Sequence, residues 1–292
     1  MNIDIQQVRE DYKGLKLHAR NHDELMRTRI RMENRIHARL LNVSPESLMR
    51  QFGTDTVPDR GTTEFRSMAH GAVPALKGMV AVENDNLNDL TKQLMDIAGP
   101  RLRVFLDTPG IGLKLMARLL GEIGHPVIAF PAHWEEAEDP TGDEPKRTIV
   151  EDEPFERTPG QLWQYCGHGK AGRPRKGMDQ AELFKLGNPQ AKMLTYLTAV
   201  GCMKMIGGED KRGTVRQRSP YRNVYEESKA RYEITRPDPE KGEKDSAERW
   251  SKGHRHNAAL RITGKEILRD LWVACKADLA DIGEADTIQL AA

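Results

Sequence analysis

The sequence predicts an all-α fold: a long N-terminal helical hairpin or coiled coil, then a second helical domain carrying an acidic insertion. Three observations predict it. Charged residues make up 30% and aromatic residues only 5% of the 292 residues, a balance poor in the β-branched and aromatic runs that strands favour. Apolar residues recur at three- and four-residue steps over long stretches. Proline, glycine and capping residues divide those stretches where helices start and stop.

In residues 17–43, LHARNHDELMRTRIRMENRIHARLLNV, the apolar Leu25, Met32, Ile36, Leu40 and Val43 fall on one face and arginines take most other positions, as in a long amphipathic helix. The turn formers of GTDTVPDRGTT, residues 53–63, end it. Leu76, Val80, Leu87, Leu90, Leu94 and Ile97 then make a heptad seam with Glu83 in its gap. The two helices either fold on one another or form a dimer seam. Arg29 and Arg39 interrupt the first stripe and Glu83 the second; a lone hairpin would leave that seam thin, so a homodimer through residues 15–98 is expected.

Residues 131–160 are acidic, proline-rich and without periodicity, which predicts a solvated insertion or linker. Helix returns over 161–206, interrupted by the basic loop HGKAGRPRKG between Tyr165 and Met178. Ser219-Pro220 suits an N-cap and first turn, and Leu260, Ile267, Leu268, Leu271 and Trp272 share a face of a terminal helix. The expected organisation is a helical hairpin or coiled coil over 1–100, a paired-helix motif over 101–130, the acidic insertion over 131–160, a basic helical domain over 161–278 and an acidic tail over 279–292.

No window approaches the roughly 18 apolar residues of a membrane span, and MNIDIQQVRE is not a signal peptide; a cytoplasmic protein without a membrane partner is expected. Cys166, Cys202 and Cys275 lie far apart with no CxxC pair, so they suit a core better than a disulfide framework or zinc knuckle. His254 and His256 stand two apart, on different helix faces; no metal and no cofactor are expected. The net charge of +1 hides a segregation: residues 126–160 hold 3 basic and 10 acidic side chains, and residues 161–276 hold 24 and 14. A polyanion would meet the latter, because local field decides where phosphates collect.

DTPGIGLKLMARLLGEIG, residues 107–124, places Pro109-Gly110-Ile111-Gly112 between Val104-Phe105-Leu106 and an apolar helix through Leu115, Met116, Leu119 and Leu120. Two helices joined by a turn are predicted, with glycine supplying positive φ. The turn leaves backbone N–H groups at a helix N-terminus facing outward, where the helix dipole also favours an anion. Lys114 adds charge in the first turn. The motif resembles the helix-hairpin-helix of nucleic-acid-binding proteins, and the resemblance implies that Gly110, Ile111, Gly112 and Lys114 grip a phosphate backbone without reading bases. A plain turn, with the glycines serving geometry alone, is the alternative.

The order of FLDTPGIGLKLMARLLGEIG, AFP, QLWQYCG, KAGRPRKG, FKLGNPQAKMLTYLTAV and SPYRNVYEESKARYE resembles the C-terminal domain of DEDD-type insertion-sequence transposases, the class that includes the Piv invertase and the bridge-RNA-guided recombinases. Such relatives add an N-terminal RuvC-like domain with acidic metal ligands, and a serine nucleophile. Here only Asp4 in MNIDI has a likeness to the first acidic strand, the serine's place is held by Ala171-Gly172, and no serine occurs between Ser67 and Ser219. A methyl group cannot replace a hydroxyl nucleophile. The resemblance therefore implies a non-enzymatic DNA-binding protein of a phage or mobile element, nucleoid-associated, with a regulatory or architectural role. Its second contact surface would be Lys170, Arg173, Arg175 and Lys176, with Lys185 ahead of the Gly187-Asn188 cap. RNA stands beside DNA as partner, because relatives hold a structured RNA. The alternatives are a recombinase subunit using Thr195, Thr198 or a partner's active site, and an interaction factor directed at a host protein.

Overall fold

A computed structural model describes residues 5–137, 146–169, 175–209, 213–240 and 245–289. It is mostly helical, at 68% helix, and divides into two units: Leu17–Gln93, and the described residues before Leu17 together with those from Leu94 onward.

In the first unit, α1 (Ile5–Leu40) supplies its later turns, followed by α2 (Pro45–Phe52), α3 (Thr63–Ala72) and most of α4 (Pro74–Ile97). Local chemistry sets these boundaries. Ser44 accepts from the Ser47 amide to cap α2, Pro45 fills its first turn, and Gly53 ends it at φ +72°. Thr62 caps α3 through the Phe65 amide. Val73, ahead of Pro74, ends α3, as residues before proline avoid the helical region. The apolar faces meet in one cluster of Ile36, Leu40, Leu48, Phe65, Met68, Ala69 and Leu76, all buried. Arg29 and Glu83, which interrupt their stripes, answer one another: the Arg29 Nε donates to Glu83 at 2.5 Å and its Nη1 to Glu33 at 2.8 Å. The heptad leucines Leu76, Leu87, Leu90 and Leu94 are all buried within the single chain.

The second unit opens with the first turns of α1 and continues through α5 (Pro100–Leu106), α6 (Leu113–Ile123), α7 (Pro159–Tyr165), α8 (Gln180–Lys185), α9 (Pro189–Lys204), α10 (Pro220–Thr235) and α11 (Lys252–Gln289). Helix α11 packs against α5, α7, α9 and α10 and is its spine. Leu260, Ile267, Leu268 and Leu271 are buried there beside Cys275, so the apolar face expected of the terminal helix is the inner one. All three cysteines are buried and free. Asp278 of α11 reaches the start of α5, accepting from the Arg101 and Leu102 amides at 2.8 and 2.9 Å. Gly99, the N-cap of α5, has no side-chain cap of its own.

The acidic stretch, expected to be a solvated insertion or linker, takes part in two small antiparallel pairings: β1 (Ile128–Ala129), just ahead of it, with its β4 (Phe155–Glu156), and within it β2 (Ala132–Ala137) with β3 (Lys146–Glu151). β-branched Ile149 and Val150 favour the second. The insertion's C-terminal side is fastened to the unit. Trp272 donates to the Arg157 carbonyl at 2.7 Å, Lys276 pairs with Glu156 at 2.6 Å, and Arg9 and Lys13 pair with Glu151 at 2.5 and 2.7 Å. A third ribbon, β5 (Ile206–Glu209) with β6 (Val215–Arg218), follows α9. Ser219 occupies the N-cap of α10 without a side-chain cap bond.

Candidate nucleic-acid interface

The PGIG turn closes through the Ile111 amide, which donates to the Thr108 carbonyl at 2.9 Å. Pro109 and Gly110 occupy the two central positions, and Gly110 has φ +92°, the pattern of a type II turn. A Cβ on Gly110 would stand 2.7 Å from the Cys202 Cα of α9, and one on Gly201 would meet the Gly110 carbonyl at 3.2 Å. The turn is thus clamped against the last turns of α9.

Gly112 differs. Its φ of −83° and ψ of 118° are open to any residue, and a Cβ there would meet nothing within 4 Å. The positive φ of this hairpin therefore belongs to Gly110, one step after the proline, and Gly112 keeps the α6 N-terminus uncovered. No side chain caps that terminus. Gly112 and Lys114 are exposed and Ile111 is buried, so of the expected contact residues Ile111 anchors the turn while Gly112 and Lys114 face outward.

At the other end of α6, Asn188 donates to Glu122 at 3.3 Å, and its own oxygen caps α9 through the Gln190 and Ala191 amides. Contacts at Gly110–Cys202 and Glu122–Asn188 make α6 and α9 antiparallel. The stretch after α7 is locked here: the Asn188 amide donates to the Tyr165 carbonyl at 2.6 Å, and Gln164 donates to the Lys185 carbonyl at 2.7 Å. A Cβ on Gly187, at φ +89°, would lie 2.4 Å from the Gln164 carbonyl oxygen. Glycine is required at this crossing.

Lys185 is exposed at this clasp, as are Arg175 and Lys176; Lys170 and Arg173, like Ala171-Gly172, lie outside the described residues. Three cations not expected from the sequence converge on α7 and the Gly167–Gly169 stem that follows it. The Lys192 chain packs 3.0 Å from where a Gly167 Cβ would be. Arg261 donates to the carbonyls of His168 and Gly169 at 3.0 and 2.6 Å. Lys265 lies 5.0 Å from the Trp163 ring centre. Burial, then the charges of Arg261, Lys192 and Lys265, hold His168 down at about 4, and neither of its ring nitrogens has a partner. Burial and Arg261 also lower Lys265. The spacing of Arg261 and Lys265, like charges one helical turn apart, is the signal in the sequence that could have found them. From Lys192 to Cys202, α9 rises about 15 Å, which separates the stem from the hairpin turn.

Thr195 and Thr198 are fully buried, and their hydroxyls donate to the Ala191 and Leu194 carbonyls at 2.8 and 2.9 Å; neither is presented as a nucleophile. His254 pairs with Asp245 at 3.0 Å and stacks on Trp250, whereas His256 shares a 2.7 Å hydrogen bond with Tyr225. Among the described residues, no three histidine, cysteine or acidic side chains gather as metal ligands, and no helix is long and apolar enough to cross a membrane. No family model, curated protein or solved structure matches this chain.

Proposed function

We propose that the chain binds nucleic acid without chemistry of its own, gripping the phosphate backbone through the hairpin turn and the cationic stem, in a regulatory or architectural role. DNA is the first partner, and transposase ancestry the origin the sequence motifs favour. One observation carries this: an uncapped helix N-terminus, flanked by exposed Gly112 and Lys114, on a turn held rigid by the contact of Gly110 with Cys202. Such a terminus offers amide donors and a positive dipole end to an anion at little reorganisation cost. The test is binding to duplex DNA, single-stranded DNA and structured RNA over a salt series. Affinity should fall steeply with salt, because each neutralised phosphate releases counterion. Salt-independent binding, or none to any probe at low salt, refutes it.

A homodimer through residues 15–98 is the companion proposal. The seam leucines are already covered within one chain, so a second copy would use the apolar side chains left outside on α1 and α4: Leu17, Ile30 and Val82. Light scattering at micromolar concentration decides it, and a monomer sinks it.

A further inference from the structure

Helix α9 keeps one face for the core and turns another, apolar, outward. Ala191, Leu194, Thr195, Thr198 and Cys202 are buried, whereas Met193 and Tyr196 are each 40% exposed and Leu197 38%. At 3.6 residues per turn these three adjoin on the surface, with half-buried Val200 next along. Single apolar residues on a surface need no explanation; a strip of them marks a contact. Tyr196 makes no hydrogen bond or ring contact among the described residues. The strip is bracketed by charge of one sign. Lys192 and Lys204 are exposed at its two ends, about 18 Å apart, and neither enters an ion pair among the described residues. The helix itself carries no acidic side chain. The strip also lies between the two cationic contacts: Gly201 meets the hairpin turn and the Lys192 chain packs on the Gly167 stem, on opposite flanks of the apolar face.

We propose, resting on the backbone grip argued above, that this face stacks the bases of a single strand whose phosphates are held at the hairpin turn and the stem. In a duplex the bases already stack on one another, and the strip gains nothing from them. An unpaired strand offers its base faces to the Tyr196 ring and to the Met193 and Leu197 side chains, whatever its sequence. The gap of about 15 Å between the two anchors spans about four nucleotides at the stacked rise, fewer when the strand is drawn out. A second copy fits the face less well. Paired two-fold with antiparallel helices, it would set lysine against lysine, since both ends of the strip carry the same sign and no carboxylate of α9 answers them.

Fluorescence anisotropy of the full chain at low salt tests it, with three probes of equal length: oligothymidylate, the same strand with abasic sites in place of its bases, and a duplex. Oligothymidylate should bind about tenfold more tightly than the abasic strand, which offers the same phosphates. Tyr196→Ala should remove that advantage and leave duplex binding and helical circular dichroism unchanged. Tyr196→Trp should keep it and add an indole emission that oligothymidylate quenches and the abasic strand does not. Equal binding of the two strands by the parent, or a Tyr196→Ala variant that keeps the advantage, overturns the stacking face and leaves the backbone grip standing. If no probe binds, grip and face fall together. A Tyr196→Ala variant of lower mass by light scattering, with its strand binding unchanged, gives the face to a second copy and overturns the proposal as well.

Discussion

Two glycines two residues apart should fail in opposite ways. At Gly110, alanine would be forced into φ +92° with its Cβ 2.7 Å from the Cys202 backbone. The left-handed conformation costs about 1–2 kcal/mol, and a clash with backbone rather than a movable side chain adds about 1–2 kcal/mol more. A loss of about 3 kcal/mol lowers the Tm of a unit this size by roughly 6–12 °C. At Gly112, valine adopts φ −83° and ψ 118° freely and enters open space; a poorer N-cap costs about 1 kcal/mol at most. Its isopropyl group would stand where a phosphate oxygen approaches the α6 amides. Losing charge-assisted hydrogen bonds there should cut duplex affinity about tenfold to a hundredfold, more than Lys114→Ala, which removes one screened charge. Thermal unfolding and low-salt fluorescence anisotropy on both variants are the assays. If Gly112→Val unfolds like Gly110→Ala, the turn has been misassigned; if it folds and binds duplex like the parent, the hairpin only connects helices.

Asp278→Ala removes the acceptor for two α5 amides and should cost about 2 kcal/mol; an unchanged Tm would show that α5 needs no cap from α11. Acid should destabilise the fold between pH 6.5 and about 4. Burial, then Arg157, holds His125 down at about 4, and His168 is held equally low. Both are neutral when folded, and the unfolded chain takes up protons first as pH falls through 6.5, so their stabilisation is complete above that pH and is lost on the way to 4. Each contributes about 3 kcal/mol, and a urea midpoint flat across this window refutes the assignment. Glu83→Gln should cost about 1–3 kcal/mol by leaving Arg29 only Glu33; a double-mutant cycle with Arg29→Met that shows no coupling would mean the pair is incidental.

What the sequence made legible follows the reach of each interaction. The ends of α2, α3 and α7 are written in neighbouring residues: Ser44-Pro45, Thr62, and the Thr158–Gln161 capping box. The PGIG turn is legible for the same reason, since Pro109 places the next residue where φ is positive. Which glycine must stay glycine is less so. Gly110 is constrained partly by Cys202, distant in sequence, and Gly187 by the carbonyls of α7's last residues. β1 and β4, two residues each, are too short for a period to show, and the six residues of β2 and of β3 do not alternate apolar with polar. The stem cations are not legible because Lys192 and Arg261 sit on helices far apart in sequence, and only the fold brings both to Gly167 and the His168 and Gly169 carbonyls.

Net charge by segment is therefore a poor guide to where a polyanion can sit, and partner geometry a better one. Part of the acidic insertion's charge is taken up at the surface by cations of its own unit: Glu151 pairs with Arg9 and Lys13, and Glu156 with Lys276. Those contacts lie on its C-terminal side and compensate cations that composition alone would count as free. In the basic half, Arg222 and Arg269 are likewise committed to Glu226 and Glu266. At the Gly167–Gly169 stem the balance differs, because every charge acting on His168 is a cation. Burial, then Arg261, pushes Lys265 down, and a bound phosphate would relieve that repulsion; Lys192 and Arg261 are exposed, as Lys114 is, so salt screens all of them alike. Affinity at the stem and at the hairpin should therefore weaken together, and log affinity should fall along one line against log salt; a bend in the series would show that the two surfaces do not act as one site.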